Sequence, residues 1–151
     1  SKLLKNKKLD FFLKEVQKNS YIFGICLGMQ ILFSKGFENE ESEGLNLIDG
    51  QVKLIKTEKE KIILPIVGYK KINIQNNYLK FINNYDNEKF YFVHSYAGNT
   101  NDPKNILCTT TDQNINYCSG VIKERIIGTQ FHPEKSGEVG LNFLKDFITS
   151  C

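Results

Sequence analysis

The hydrophobic pattern changes character between Tyr21 and Gly36. Tyr21 to Ile25 is a short apolar run rich in aromatic and β-branched residues, which predicts a buried strand. From Leu27 onward the apolar residues take a helical spacing that ends near Gly36. The pattern therefore predicts a strand that leads directly into a helix, with Cys26 at the turn between them.

Amphipathic helices are predicted near both ends of the chain. The first runs from about Leu3 to Lys18 and places four apolar residues on one face, namely Leu9, Phe12, Leu13 and Val16. The second runs from Ser136 to Ile148, where apolar residues again share a face. Both helices are expected to cover a sheet.

The segment between these helices is mostly extended. A polar, acidic connection from Lys35 to Gly50 is expected to be exposed to solvent. A short helix is predicted around Tyr78 to Ile82. Strands are predicted at Gln51–Lys56, Lys61–Leu64, Gly68–Ile74, Lys89–His94, Ile106–Thr111 and Tyr117–Lys123, and the segment Arg125–Phe131 then leads to His132. This mixture indicates an α/β domain.

Composition narrows the class of protein. A chain of 151 residues with 40% hydrophobic content fits one globular domain with a sizeable core, and no linker or repeat divides it. No run approaches the roughly 18 apolar residues of a membrane helix, and the first residues lack the apolar core of a signal peptide. The net charge of +3 is too small to indicate a nucleic-acid partner. A cytoplasmic protein is expected.

The cysteines show no metal-binding spacing. Four are present, at 26, 108, 118 and 151, without a C-x-x-C motif, and there are only two histidines. We therefore expect reduced thiols and no metal site. Cys108 and Cys118 are expected to pack in strands, and Cys151 to be an exposed terminal thiol.

Cys26 is the candidate nucleophile. Gly24 and Gly28 flank it and allow a sharp turn and a close approach of the backbone. A helix N-terminus favours the thiolate, which is the reactive form of cysteine. The alternative is a buried thiol that only fills space, as most free cysteines do.

A second segment supplies a base and a carboxylate. Gly128 to Glu134 contains His132 and, two residues later, Glu134. Residues two apart in an extended stretch face the same way, so the pair can act as a base and its orienting acid. Together with Cys26 they would complete a Cys-His-acid triad.

These motifs resemble the class I, triad-type glutamine amidotransferases. Gly-Ile-Cys-Leu-Gly-Met-Gln at 24–30 is similar to the nucleophile elbow of that family, and Gln-Phe-His-Pro-Glu at 130–134 to its His-x-Glu signature. The resemblance implies a flavodoxin-like α/β fold with a mixed, largely parallel sheet flanked by helices, over residues 1–151. It also implies hydrolysis of L-glutamine by Cys26, His132 and Glu134, without a metal or organic cofactor.

The resemblance further implies how glutamine would bind. Leu27 follows the nucleophile and would donate its backbone amide to the oxyanion. Gln30 and the backbone of Ser95 and Tyr96 would hold the amino-acid end of glutamine.

The resemblance is strongest to one branch of the family. Tyr91 to Tyr96, followed by the segment after His132, is similar to the branch that serves imidazole glycerol phosphate formation in histidine biosynthesis. Its partner is a (β/α)8 cyclase that uses the ammonia. In that branch a histidine and a tryptophan usually stand where this chain has Ile66 and Tyr69. The principal alternative is therefore the branch whose partner is a sugar amidotransferase of surface-glycan synthesis.

Tyr69 and His94 are expected on the side that faces the synthase partner. For His94 a second interpretation stays open, a hydrogen-bonded histidine at a strand end with no special role.

The family domain also begins with a strand, a helix and a second strand for which this sequence has no counterpart before its first predicted helix. That part carries a Pro-Gly-x-Gly segment that contributes to the oxyanion hole. The resemblance thus implies an N-terminally truncated domain, and a poor catalyst on its own, since one lost oxyanion donor costs about 100-fold to 1000-fold in rate.

Two hypotheses of other kinds remain at this point. One is a non-catalytic subunit that keeps the fold for docking. The other is a Cys-His hydrolase of γ-glutamyl or peptide substrates, against which Gln30 and the His94 to Tyr96 run favour glutamine.

Overall fold

The computed structural model describes residues 7–38, 40–56 and 62–150. Within these ranges the α-helices are α1 (Lys7–Val16), α2 (Leu27–Leu32) and α3 (Gly137–Ser150). The strands are β1 (Ile22–Ile25), β2 (Phe33–Gly36), β3 (Ser42–Glu43), β4 (Ile48–Leu54), β5 (Ile66–Lys71), β6 (Asn73–Ile74), β7 (Lys89–His94), β8 (Tyr96–Thr100), β9 (Ile106–Asp112), β10 (Ile115–Lys123) and β11 (Ile126–Thr129). Short 3-10 helices occupy Lys80–Tyr85, Pro103–Asn105 and Pro133–Lys135.

Nine of the described strands form one mixed sheet. Its order is β1-β11-β10-β8-β4-β2-β3, with β9 paired to β10 and β6 paired to β9. The pairs β1–β11 and β2–β4 are parallel, and the other described pairs are antiparallel. The α/β class and the mixed sheet are confirmed. The expectation of a largely parallel sheet is wrong for the described strands, because tight turns such as the one between β9 and β10 give antiparallel pairs.

Helices cover both faces of this sheet. Neighbouring strand residues alternate between two hydrophobic clusters, so Ile127 packs in the cluster that contains Phe143 of α3, and Ile126 in the one that contains Met29 of α2. Strands β5 and β7 form a separate antiparallel pair beside the α3 cluster, to which Ile66 and Phe92 contribute. Because β1 and β11 are parallel neighbours, their carboxyl ends lie side by side, and the start of α2 is therefore next to the end of β11.

The region from Lys35 to Gly50 corrects two expectations. Phe33 to Gly36 is a strand rather than the last turn of the helix after Cys26, and β3 and β4 follow where an exposed connection was predicted. Phe33 and Ile48 are fully buried and pair in the β2–β4 ladder. Glu38, Glu40 and Glu41, which suggested a loop, lie exposed between β2 and β3. Lys35 and Glu43 are exposed residues of those two short strands near the end of the sheet, where charge is common.

Two further differences concern extended segments. Of the predicted strand at Lys61–Leu64, the described part is not a strand, and Lys61 lies outside the described residues. The backbone of Ile63 bonds instead to the side chain of Gln113, which accepts from its N–H at 2.8 Å and donates to its carbonyl at 3.1 Å. Strand β8 was not predicted, because Tyr96 to Thr100 carries no β-branched apolar residue and is defined by its neighbours β4 and β10.

The single strand predicted at Gly68–Ile74 is wrong, because β5 pairs with β7 whereas β6 pairs with β9 in the main sheet. The other predicted elements agree within a few residues, and β7 agrees at both ends. The predicted short helix is the 3-10 helix Lys80–Tyr85. In α1, Phe12 is exposed rather than on the buried face, whereas Leu13 packs against the α2 cluster. The start of that predicted helix and the side chain of Leu9 lie outside what the structure describes.

Candidate active site

The turn from β1 into α2 is as sharp as the sequence suggests. Ile25 is the register partner of Thr129 in β11, and the Cys26 N–H donates to the Thr129 carbonyl at 2.7 Å. Helix α2 begins at the next residue. A Cβ at Gly24 would lie 2.5 Å from the Gly28 carbonyl oxygen, so only glycine allows α2 to pack this closely on β1.

Cys26 itself carries the strain of this turn. Its φ is 50° and its ψ is −106°, a conformation that residues with a side chain rarely adopt. Such conformations cost about 1–3 kcal/mol and persist where the surrounding structure enforces them, often at functional sites. The expected nucleophile elbow is therefore present in the backbone geometry.

The segment after β11 pairs the histidine with the carboxylate. His132 Nδ1 lies 2.6 Å from Glu134 Oε1. The segment is fixed on both sides, because the His132 N–H donates to the Tyr91 carbonyl at 2.9 Å and Ser136 Oγ donates to the His132 carbonyl at 2.6 Å. Pro133–Lys135 form a 3-10 turn, so this turn, and not an extended backbone, brings the pair together.

The tautomer of His132 follows from this pairing. A carboxylate accepts only, so Nδ1 carries the proton and Nε2 presents a lone pair. Nε2 is buried and has no hydrogen-bond partner among the described residues. The ring therefore offers a free basic nitrogen inside the fold.

Gln130 links the two segments, and sequence reasoning gave it no role. Its side chain is fully buried, and its Nε2 lies 3.6 Å from Cys26 Sγ. Its Oε1 accepts a hydrogen bond of 3.1 Å from Gln30 Nε2. The sequence did offer a signal, because Gln130 stands between the strand residues of β11 and Phe131. A glutamine in such an apolar segment is expected to be buried, and a buried carboxamide needs polar partners.

Burial dominates the electrostatics of the Cys26 thiol. Desolvation raises the pKa of Cys26, and the Leu27 backbone N–H and the Gln130 side chain oppose it only in part. Glu134 raises the same pKa and Lys135 lowers it, so both charges act on the sulfur. The start of α2 does favour the thiolate through the Leu27 N–H, as expected, but desolvation is the larger effect. The thiol therefore needs a base to react at neutral pH.

Among the residues expected to bind glutamine, Gln30 is linked to this thiol through Gln130. Gln30 Nε2 donates to the Tyr96 carbonyl at 3.2 Å, which joins α2 to the turn between β7 and β8. Ser95 forms that turn, and its carbonyl accepts from the Ile55 N–H at 2.9 Å. Leu27 is the first residue of α2, with its side chain exposed. Gln30, Ser95 and Tyr96 thus meet at one place.

His94 and Tyr69 differ in exposure. His94 is only 6% exposed, and its Nδ1 lies 2.8 Å from the Tyr96 carbonyl. This agrees with the interpretation of His94 as a hydrogen-bonded histidine at a strand end. Burial lowers the pKa of His94, which keeps the ring neutral. Tyr69 is 54% exposed, and its hydroxyl donates to the Lys135 carbonyl at 3.1 Å. A partner-facing role for either residue stays a prediction.

The other described cysteines lie away from this network. Cys108 in β9 and Cys118 in β10 are buried, and burial raises the pKa of each thiol to about 12. Cys151 lies outside the described residues.

Within the described ranges no group of His, Cys, Asp or Glu side chains could hold a metal ion. None of the helices in those ranges has the length and apolar character needed to cross a membrane.

Three of the relatives found by comparison with known proteins carry the same name. All are the imidazole glycerol phosphate synthase subunit HisH. The protein from Chlorobium luteolum is 38% identical over 91% of this chain and 68% of its own length. The one from Lactococcus lactis is 46% identical over 84% of this chain and 61% of its own. The one from Dehalococcoides mccartyi is 37% identical over 96% of this chain and 69% of its own. The chain thus spans about two thirds of these relatives.

Solved structures agree on the fold. A glutamine amidotransferase from Thermotoga maritima superposes with a TM-score of 0.55 at 19% identity, over 95% of this chain and 52% of that one. A second glutamine amidotransferase structure gives a TM-score of 0.58 at 17% identity, over 96% and 71%. The family model "Glutamine amidotransferase class-I" matches residues 7–151. The expected family is therefore confirmed, and this chain belongs to the class-I glutamine amidotransferases.

Proposed function

We propose that this chain is the glutaminase part of an ammonia-supplying enzyme and that it hydrolyses L-glutamine to glutamate and ammonia. The observation that carries the proposal is the strained Cys26 at the β1–α2 turn, next to the segment that holds His132 against Glu134 at 2.6 Å. A purely structural elbow would not need a base with a free, buried Nε2.

The proposed reaction begins at the Cys26 thiol. Its raised pKa means that the proton must leave during attack, and His132 Nε2 is the acceptor. Sγ bonds to the side-chain carbonyl carbon of glutamine, and His132 returns the proton to the departing ammonia. Water, deprotonated by the same nitrogen, then cleaves the γ-glutamyl thioester to glutamate. Glu134 holds the ring and stabilises its charged form.

Gln30 is proposed to receive the α-ammonium group of glutamine. Both hydrogens of its amide group are engaged, since Nε2 lies 3.2 Å from the Tyr96 carbonyl and 3.1 Å from Gln130 Oε1. Its Oε1 is then the atom left to accept from a ligand. Backbone amides of the Ser95–Tyr96 turn are proposed for the α-carboxylate, and the Leu27 N–H for the oxyanion.

The proposed partner is a synthase subunit that consumes the ammonia. The names of the relatives favour an imidazole glycerol phosphate synthase. From the family resemblance we add to the proposal histidine biosynthesis, a (β/α)8 cyclase as partner and a cytoplasmic location. Exposed residues of the β5–β7 pair beside the site, including Val67 and Tyr69, are proposed to face it. A sugar amidotransferase stays the alternative because Ile66 and Tyr69 depart from the histidine-branch pattern.

The test is glutamate release measured with and without the cyclase encoded in the same genome, with Cys26→Ala as the matched control. We expect release that depends on Cys26 and rises when the cyclase and its nucleotide substrate are added. Stimulation by a sugar amidotransferase instead would reassign the partner. Binding to the cyclase without any Cys26-dependent release would support the docking subunit, and release from γ-glutamyl peptides but not glutamine would support the hydrolase.

A further inference from the structure

We propose that Gln130 is a catalytic residue that activates Cys26, by donating a hydrogen bond from its carboxamide to the attacking sulfur, and that Gln30 fixes the direction of this donor. The inference rests on the proposed role of Cys26 as nucleophile. It gives Gln130, which precedes the His132 segment, a direct part in the reaction of Cys26.

The first step of the argument is geometric. Gln130 Nε2 is 3.6 Å from Cys26 Sγ, within the range of hydrogen bonds to sulfur. The backbone of Gln130 is fixed, because its N–H donates to the Ser119 carbonyl at 2.9 Å. The side chain is fully buried, so it cannot exchange this contact for water.

The second step concerns which end of each carboxamide faces which neighbour. The Tyr96 carbonyl can only accept, so it requires the NH2 end of Gln30. That same NH2 end faces the Gln130 carboxamide at 3.1 Å, which must therefore present its oxygen. The NH2 end of Gln130 is then directed at the sulfur. The His94 ring, 2.8 Å from the Tyr96 carbonyl, holds the far end of this chain of bonds.

The third step is chemical. A thiolate is a strong acceptor and a thiol a weak one, so a donor at this position favours the charged form that attacks glutamine. The charges that act on the sulfur, Glu134 and Lys135, lie on one segment and oppose each other. His132 belongs to the same segment as Glu134 and Lys135. The other elements add no charge, because α2 carries no charged residue and His94 at the end of β7 is neutral. Gln130 is thus a neutral stabiliser whose removal changes no charge.

The experiment measures the pH dependence of Cys26 alkylation by iodoacetamide, located by mass spectrometry, which needs no glutamine turnover. In Gln130→Met the shape is kept and the donor lost, so the apparent pKa of Cys26 should rise by about one unit. Gln30→Met, which releases the orienting bond, should raise it by less. The matched control is Tyr85→Phe, which removes a 2.7 Å hydrogen bond to Asp146 of α3 and should leave the profile unchanged.

An alkylation profile in Gln130→Met equal to that of the unmodified protein would overturn the proposal. If the Gln130 variants do not fold, the side-chain amide resonance of Gln130 in the unmodified protein decides instead. It should titrate with Cys26 and stop titrating in Cys26→Ala, and a resonance insensitive to Cys26 would equally refute the inference. Neither readout depends on glutaminase activity. A protein in which Cys26 titrates as expected but which does not hydrolyse glutamine would therefore count against the proposed function alone.

Discussion

Cys26 and the pair Cys108–Cys118 show how one residue type takes two roles in a single fold. Cys26 has a positive φ, a half-buried side chain and the Gln130 amide beside its sulfur. Cys108 lies in β9, where its sulfur accepts from Ser119 Oγ at 3.5 Å, and Cys118 lies in β10, where its sulfur donates to the Gly120 carbonyl at 3.3 Å. Burial raises the pKa of all three thiols, but only Cys26 has polar groups that oppose it from two sides.

The difference teaches that reactivity here comes from position rather than from a resting thiolate. A helix N-terminus alone does not overcome desolvation at Cys26. In the proposed reaction the strained turn, the Gln130 donor and the free Nε2 of His132 together activate the sulfur, and the core thiols have none of the three.

The largest expected effect is the loss of the nucleophile. Cys26→Ala should reduce glutamine hydrolysis by at least about 1000-fold while leaving the far-UV circular dichroism unchanged. Cys118→Ala serves as the matched control and should keep the activity. A glutamine-analogue electrophile should modify Cys26 before Cys108 or Cys118, as read by peptide mass spectrometry. Preferential labelling of a core thiol would remove Cys26 as the nucleophile.

The next effect separates the base from its orienting acid. His132→Ala should reduce turnover nearly as far as loss of the thiol, since nucleophile and base act as a unit. Glu134→Gln should cost less, because the amide still accepts from Nδ1 but carries no charge. Initial rates of glutamate release measure both, with Glu138→Gln, at an exposed position of α3, as the charge control. Full activity in His132→Ala would contradict the assignment.

A smaller effect belongs to the core thiols and appears at alkaline pH. Their folded pKa of about 12 lies above the usual 9.0, so unfolding releases protons above pH 9. The stability they contribute is complete below pH 9 and is lost as pH rises toward 12. The free energy of unfolding should fall by about 1 kcal/mol per thiol between pH 9 and 10.

Urea titrations at the two pH values provide the measurement. The double variant Cys108→Ala/Cys118→Ala should show a shallower fall than the unmodified protein. Equal falls in both proteins would mean that these thiols are not held protonated by the fold.

The smallest effect tests the strain at the elbow. Cys26→Gly should be more stable than Cys26→Ala by about 1 kcal/mol, because glycine adopts a φ of 50° without steric cost. Cys118→Gly should be less stable than Cys118→Ala, because Cys118 lies in strand β10 and does not have a positive φ. Thermal unfolding compares the two pairs, and a destabilised Cys26→Gly would show that the turn is not strained.

The sequence by itself determined the family, the α/β class, the elbow at Cys26 and the nearness of His132 to Glu134. These are local properties: an apolar run that meets a helical period, two glycines around a cysteine, and a short spacing between a base and an acid. Strand β7 was predicted for the same reason, since its run of aromatic and β-branched residues lies within the segment itself.

The tertiary structure alone decided what depends on neighbours distant in sequence. Strands β2, β3 and β8 exist because partners supply their hydrogen bonds, and their own residues favour strands weakly. The pKa of Cys26 depends on burial by segments about a hundred residues away. The contact between Gln130 and Cys26 spans 104 positions, and no local pattern at either residue encodes it. Only the parallel pairing of β1 with β11 brings these two side chains together.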